Sequence, residues 1–190
     1  MQKNLYFFSI IWLMLLSLIS SNAKAQLRTP FTGKNFITVV LEGSSGRYEF
    51  QSPSLLVRYN NSTEQLECRV QINSLLPTSD TIPPGMAYEV LYGAKFPELI
   101  FMIDVPEEII NSGNPYTEPL NQRTYITLQG TTNQQRVPVI LAPDRNTISF
   151  GTNFELMLDS FQASIPIRYL PVLTGRLLIN ISNARWVDQR

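Results

Sequence analysis

Residues 66–73 constrain the fold more than any other stretch, because apolar and polar side chains alternate there without a break. The apolar set is Leu66, Cys68, Val70 and Ile72, and the polar set is Glu67, Arg69, Gln71 and Asn73. A period of two with one apolar face predicts a strand of an antiparallel sheet whose second face meets water. Residues 47–60 also have the pattern of one or two strands, and the polar turn 60–63 that follows them predicts a hairpin.

The rest of the chain repeats this pattern of strands and turns. Further strands are predicted at 36–41, 96–105, 124–129, 137–141, 148–158 and 176–182, with Gly, Pro, Asn and Ser between them. One short helix is predicted from apolar residues spaced i, i+3, i+4 and i+7, which are Ala87, Val90, Leu91 and Ala94. About eight strands and one helix indicate an all-β domain, either a sandwich or an antiparallel barrel.

The strand FPELIFMIDV at 96–105 departs from simple alternation, because both of its faces are nearly all apolar. A strand with one wet face alternates, so the second face needs a cover. The predicted helix comes directly before this strand, and elements that are adjacent in sequence usually pack together. We therefore expect the helix to lie over the outer face of the strand. A ligand on that face is the alternative.

Residues 1–25 have the pattern of a secretory signal peptide. A start that carries Lys3 precedes an apolar run at 5–19, and a small-residue cleavage site ends at Ala25. The run is shorter than the roughly 20 residues of a membrane span, and an uncleaved anchor is the alternative. Gln26 rather than cysteine follows the site, so a bacterial lipoprotein anchor has no attachment point. We expect export to the periplasm or the medium and a single mature domain at 26–190.

Composition excludes several classes of function. The chain has no histidine, which removes the commonest metal ligand and general base and excludes Ser-His and Cys-His nucleophile pairs. Without Lys3 and Lys24, the balance is 13 basic against 15 acidic residues, not the basic excess of a nucleic-acid binder. The one cysteine, Cys68, lies on an apolar strand face, where a buried and inert thiol is expected. We therefore predict no enzymatic activity, no cofactor, no metal and no nucleic-acid partner.

Three stretches resemble, in order, parts of the YceI-like family. They are QINSLLPTSD at 71–80, GMAYEVLYGAKFPELIF at 85–101 and TYITLQGTTNQQRVPVIL at 124–141. The second contains the helix that runs into a Lys-Phe-Pro strand, and the third contains the Leu-x-Gly-x-Thr turn. The resemblance covers roughly 46–182 and rests on the order and spacing of the motifs. The chain lacks the Arg-Asp-x-His-Leu stretch of many members and has TIPPGM at 81–86 instead.

This resemblance implies an exported, lipocalin-like antiparallel barrel that holds a polyisoprenoid chain. An eight-stranded barrel is just wide enough to be filled by its own side chains or to hold one slim ligand. Alternation gives the inner-wall and ligand-binding candidates Val57, Val70, Ile72, Phe101, Ile103, Ile126, Leu128, Val139, Phe154, Leu156, Ile179 and Ile181. The alternative is that these residues only pack against one another. Arg47, Arg123 and Arg136 lie near predicted strand ends and are the candidates for holding a phosphate head group.

The function predicted from the sequence is that of an exported protein that carries or sequesters a long apolar molecule, such as a polyisoprenoid. The alternative is a filled barrel that serves as a structural or interaction module of the cell envelope. A ligand recovered with the protein favours the first, and a defined protein partner with no interior cavity favours the second.

Overall fold

The computed structural model of the protein describes residues 30–188, and the predicted signal peptide lies outside them. Its strands are β1 Thr32–Gly43, β2 Arg47–Asn60, β3 Gln65–Gln71, β4 Leu76–Pro77, β5 Glu98–Asp104, β6 Leu120–Leu128, β7 Thr131–Asp144, β8 Thr147–Met157 and β9 Leu173–Val187. Its α-helices are α1 Met86–Val90 and α2 Glu107–Asn111, and its 3₁₀ turns are Ile72–Ser74, Leu158–Phe161 and Ile167–Tyr169. Neither helix in this range has the length and hydropathy of a membrane-spanning helix.

Eight of these strands form a closed antiparallel barrel. The strand order is β1-β9-β8-β7-β6-β5-β3-β2, and β1 also pairs with β2 to complete the circle. The ninth strand, β4, is a two-residue addition that pairs with β2 through Phe50 and Gln51. Because a closed barrel abolishes sheet edges, the lipocalin-like barrel is confirmed and the sandwich is excluded.

Two bulges keep the inner face apolar along the longest strands. In β2 the partners of Asn35 and Ile37 are Leu55 and Ser52, so one extra residue is accommodated beside Pro53. Pro53 therefore does not end the strand, because a bulge is a position that tolerates proline. In β9 a similar register shift falls between Ile181 and Ala184, and both of these residues remain buried.

The structure extends several predicted strands and adds one helix. β7 begins at Thr131, six residues before the predicted start, because the polar TTNQQR sequence at 131–136 hides the period of two. Ile72 belongs to a 3₁₀ turn that follows β3 and not to the strand itself, although it is fully buried. The acidic pair Glu107 and Glu108 begins α2 instead of an open turn.

Helix α1 lies at one end of the barrel and not over the outer face of β5. Its buried residues Met86, Ala87 and Val90 belong to the main core, and the carbonyl of Val90 accepts a hydrogen bond from Gln129 in the β6–β7 turn. The burial pattern of β5 alternates, with Ile100 and Met102 half-buried on the outside. The expected helical cover is therefore wrong, because the helix follows the connection 72–85, which turns across the barrel end.

The outer face of β2 and β3 carries a compact ion network around Glu67. Arg58 approaches Oε2 of Glu67 at 2.5 Å, and Arg69 binds Oε1 of the same carboxylate. Phe31 covers both guanidinium groups, with the Arg58 carbon 4.6 Å and the Arg69 carbon 5.4 Å from its ring centroid. The carboxylate is thus removed from water by its own partners, which makes their geometry important for stability.

We expect Glu67→Gln to destabilise the barrel by about 3 kcal/mol, because two partly buried arginines lose their shared counter-ion. Glu98→Gln is the matched control, since Glu98 reaches Arg69 at 3.6 Å and is more exposed, and its loss should cost less than about 1 kcal/mol. Urea unfolding at neutral pH measures both changes. Equal effects of the two substitutions would show that the buried carboxylate has no special role.

Candidate functional site

The interior of the barrel is the candidate site, and all twelve predicted wall residues are buried there. Eleven of them expose 2% or less of their surface, and Phe154 exposes 8%. They come from β2, β3, β5, β6, β7, β8 and β9 and from the 3₁₀ turn after β3, so the structure brings them together in one cluster. Their burial is what the alternation predicts; their role in ligand binding stays a prediction.

Aromatic side chains cross the interior at mid-height. The rings of Phe101 on β5 and Phe154 on β8 meet edge to face, with centroids 5.7 Å apart. Strands β6 and β7 separate β5 from β8 in the sheet, so this contact spans the inside of the barrel. A ligand that runs along the barrel axis must displace this pair, and the pair is therefore the main obstacle to a through-going apolar chain.

Buried polar groups on the inner face are few and lie near strand ends or register shifts. Ser52 shares a hydrogen bond of 2.7 Å with Ser74, and Thr152 donates to the carbonyl of Pro138 at 2.7 Å. Asn35 exchanges two hydrogen bonds with the backbone of Arg185, at 2.7 and 3.0 Å. Because each group has a partner, the inner face offers apolar surface and no charged group to a ligand.

The end of the barrel near α2 is lined by aromatic residues. The rings of Tyr59 and Trp186 lie 5.9 Å apart, and the Tyr59 hydroxyl donates to the carbonyl of Val105 at 2.9 Å. Beside them lies a pocket of about 100 Å³ that Ile110 and Ile148 also line. Polar and charged residues, among them Glu107 and Arg145, make up most of the rest of this pocket lining. Trp186 exposes 4% of its surface and its indole nitrogen has no hydrogen-bond partner, so this end adds one unused donor to a mixed lining.

The opposite end is closed by α1 and the segment that follows β8. Tyr169 donates to Glu89 of α1 at 2.8 Å, and Arg168 forms an ion pair with the same carboxylate. Gly130 holds the β6–β7 turn against Phe96, since a Cβ there would lie 2.5 Å from the ring and φ is +80°. These contacts attach the connecting segments to the barrel end, which separates the interior from solvent on this side.

The three candidate arginines do not assemble at a barrel mouth. Arg123 and Arg136 are cross-strand partners on β6 and β7, but both occupy outward positions on these strands. Arg123 pairs with Asp104 at 3.5 Å, and Arg47 lies 4.0 Å from Glu42. Their proposed role in holding a head group therefore has no support from their placement, because alternation points them away from the interior.

One part of the wall lacks backbone pairing. The β7–β8 ladder runs from the Asp144–Thr147 pair to the Val139–Thr152 pair and ends there, whereas β8 continues to pair with β9 as far as Met157. Over this stretch a pocket of about 340 Å³ lies between the strands. One signal in the sequence marks this stretch, since polar residues occupy the inward positions 133 and 135 of β7.

Two buried hydroxyl and thiol groups face the core. Burial raises the pKa of the Cys68 thiol far above its usual value, with a smaller contribution from Glu67. Burial likewise raises the pKa of Tyr59, and the charges of Glu64, Glu107 and Glu108 add to this effect. Both groups therefore stay protonated in the folded protein, and Cys68 is the inert thiol that the sequence predicts. Between residues 30 and 188, no three or more His, Cys, Asp or Glu residues group as metal ligands.

The barrel is similar to solved structures of low sequence identity. A polyisoprenoid binding domain from Saccharophagus degradans, implicated in plant cell wall breakdown, superposes with a TM-score of 0.68 at 9% identity, over 86% of this chain and 99% of that one. BcnA of Burkholderia cenocepacia superposes with a TM-score of 0.55 at 15% identity, over 77% and 93%. The Campylobacter jejuni YceI protein gives 0.47 at 12% identity, over 72% and 81%.

No protein-family model and no curated protein sequence matches the chain. At identities below 25%, the first two structures show a shared fold. The lipocalin-like fold that the sequence resemblance implies is thereby confirmed by an independent comparison.

We expect stability to fall above about pH 8.5, because the unfolded chain then loses the Cys68 proton that the folded protein keeps. The raised pKa of Cys68 in the folded protein adds to the free energy of unfolding at pH values below this one, and this contribution decreases as the pH rises above it. Cys68→Ala should remove about 2.5 kcal/mol of the decrease between pH 7.5 and 10.5. Tyr59→Phe should remove a smaller part that begins near pH 10. Urea unfolding across this range measures both; parallel curves for the native protein and Cys68→Ala would contradict the assignment.

Proposed function

We propose that the protein is a divergent, exported member of the YceI-like family that binds a long, slim apolar molecule inside its barrel. Residues 1–25 act as the signal peptide, and the mature protein at 26–190 is released into the periplasm or the medium. The ligand is an isoprenoid-like lipid, and the protein carries or sequesters it without changing it chemically. No metal or cofactor takes part.

The observation that carries the proposal is the predominantly apolar inner face of a closed eight-stranded barrel. Among the buried inward residues between 30 and 188, the ionisable side chains are the protonated thiol of Cys68 and the Tyr59 hydroxyl near one end. Transfer of a lipid chain from water to such a wall gains about 0.8 kcal/mol for each buried methylene. A barrel of this strand number holds at most one slim ligand, which favours a linear chain over a ring system.

The structural likeness adds support of a different kind. The domain from Saccharophagus degradans is a polyisoprenoid binding domain, and nearly its whole length superposes on this chain. A shared fold gives this chain a barrel of the kind in which that domain binds its ligand, which supports the same class of ligand here. The sequence resemblance in the motifs at 71–101 and 124–141 points to the same family.

The second candidate is a filled barrel that acts as a structural or interaction module of the cell envelope. The close packing of the interior favours it, because Phe101 and Phe154 touch across the barrel and most wall residues expose nothing. Binding then requires these two rings to move apart, whereas the filled barrel requires no change. For a lipid to bind, the free energy gained by burying it must exceed the cost of moving the two rings apart.

Native mass spectrometry of the protein exported with its own leader distinguishes the two functions. We expect an extra mass that solvent extraction removes as a lipid, on a polypeptide whose mass corresponds to residues 26–190. After delipidation, incubation with farnesol should restore an adduct of one molecule per chain. A clean polypeptide mass that farnesol does not change would support the filled barrel and overturn the carrier.

We expect Phe154→Glu to weaken farnesol binding by about tenfold or more, because a charge at the inner wall must be desolvated when the ligand enters. Phe154→Ala should bind at least as well as the native protein, since it removes the ring that crosses the interior. Ile140→Glu is the matched control on the outer face, where Ile140 is 47% exposed.

Circular dichroism and cooperative unfolding first verify that each variant is folded. A folded Phe154→Glu protein that binds farnesol like the Ile140→Glu control would show that the interior is not the site.

A further inference from the structure

The pairing of β7 with β8 is incomplete over the first part of β7. If the ladder continued beyond the Val139–Thr152 pair, Gln134 would face Met157 and Gln135 would face Leu156. These four residues instead line the pocket of about 340 Å³ that lies between the two strands. The wall is thus open to a side pocket along half of β7, while β6–β7 and β8–β9 stay paired over the same length.

Pro138 explains why the ladder ends at this point. The carbonyl of Pro138 accepts the Thr152 hydroxyl at 2.7 Å, so the backbone of Pro138 faces β8. Proline has no N–H group, and β7 has no donor to give to β8 from this residue. Beyond it the inward positions of β7 are occupied by Asn133 and Gln135, which are half-buried, whereas Val137 and Val139 are fully buried.

Side-chain amides cross this gap in place of the backbone. Gln135 donates to the carbonyl of Glu155 at 3.3 Å, and Asn133 donates to the carbonyl of Ser160 in the 3₁₀ turn after β8. Water competes for the groups that form these hydrogen bonds, so the net stability that each bond contributes is small. Separation of the two strands here breaks these side-chain bonds and no backbone ladder, so it costs less than opening a paired part of the wall.

The interrupted β1–β9 pairing is closed by hydrogen bonds that are better shielded from water. The β1–β9 ladder stops at the Thr38–Asn180 pair, but Asn35 then exchanges two short hydrogen bonds with the backbone of Arg185. Thr32 also accepts the N–H of Val187 at 2.9 Å. Asn35 is 6% exposed, so these bonds are shielded from water, unlike the amide bridge of Gln135.

The side pocket lies beside the proposed ligand site. Leu156 lines the pocket and is also one of the twelve predicted wall residues, and Phe161 adds a second buried apolar side chain. Phe154 comes two residues before Leu156, on the part of β8 that lacks a β7 partner, and it is the most exposed of the twelve, at 8%. Its ring contacts Phe101 across the interior. A slim chain that passes between β7 and β8 would therefore enter the barrel next to the Phe101–Phe154 pair.

We infer that the gap between 131–138 of β7 and 153–157 of β8 is a lateral entry port through which a linear apolar chain enters the barrel. The hydrogen bonds of Asn133 and Gln135 across this gap hold it closed, and we call these two side chains the latch. This inference rests on the proposed lipid-binding function. Entry through the side lets the ligand displace the Phe101–Phe154 contact from one flank, without removal of α1 or α2 from the barrel ends.

A cross-link across the gap tests the port. Gln134→Cys and Met157→Cys place two thiols on the outer face at either side of the pocket, and bis-maleimidoethane joins them. The probe is cis-parinaric acid, a slim polyene whose fluorescence rises when it leaves water, mixed with delipidated protein in a stopped-flow instrument. We expect the linked protein to take up the probe about tenfold more slowly than the unlinked double variant, equal to about 1.4 kcal/mol added to the barrier.

The matched control carries the same linker across a paired part of the wall. Thr38→Cys and Asn180→Cys are cross-strand partners on β1 and β9, outside the port, and both occupy outward positions on their strands. Linkage there should leave the uptake rate unchanged. Mass spectrometry verifies each link, and the native thiol Cys68 stays unmodified because it is fully buried.

A second variant removes the latch without any cross-link. Asn133→Ala with Gln135→Ala should speed both uptake and release of the probe by about tenfold. Without the two amides, fewer hydrogen bonds must break when β7 and β8 separate, while the contacts of the bound probe are unaltered. Because both rates change equally, the dissociation constant of the probe should stay the same. A general weakening of the barrel would instead change the dissociation constant. Thermal unfolding of the variant checks that it remains folded.

The outcomes distinguish a failure of the entry port from a failure of the proposed lipid-binding function. Slow uptake in the linked port variant alone, with faster exchange in the latch variant, supports lateral entry. Native-like uptake in the linked port variant, or equal slowing in both linked proteins, overturns the port while the binding function stands. An absence of probe binding by the native protein overturns the proposed function, and the port with it.

Discussion

The double pairing of β1 is the constraint on which the rest of the structure depends. β1 bonds to β2 on one side and to β9 on the other, which turns an open sheet into a closed barrel. Closure fixes which face of every strand is inside, so one apolar face for each strand becomes one common core. Gly43 makes the tight return to β2 possible, because a Cβ there would lie 2.7 Å from the carbonyl oxygen of Val172.

Closure also sets what the interior can do. The inner wall is dry and apolar, and the few polar groups on it are bonded near strand ends or at bulges. Such a wall is equally suited to pack against itself and to hold a lipid chain, since both bury the same surface. The Phe101–Phe154 contact is where these two uses compete, because the rings occupy the space that a chain along the axis needs.

Two interrupted ladders of the wall are bridged by side chains in different ways. Between β1 and β9, a buried asparagine replaces the missing ladder with hydrogen bonds that are shielded from water. Between β7 and β8, the half-buried amides of Gln135 and Asn133 bond to backbone carbonyls beside a proline that cannot donate. Hydrogen bonds that compete with water contribute little net stability, so we expect the barrel to open beside Phe154.

The sequence by itself determined the strand content, the inner and outer faces, and the buried thiol of Cys68, because a period of two depends only on local alternation. It also indicated the family resemblance in 71–141, which the fold agrees with. Closure of the barrel was needed to show that β7 reaches back to Thr131, that α1 covers a barrel end and that Phe101 meets Phe154 across the interior. The latter features depend on which strands become neighbours on closure, and residues far apart in sequence meet only when the barrel has formed.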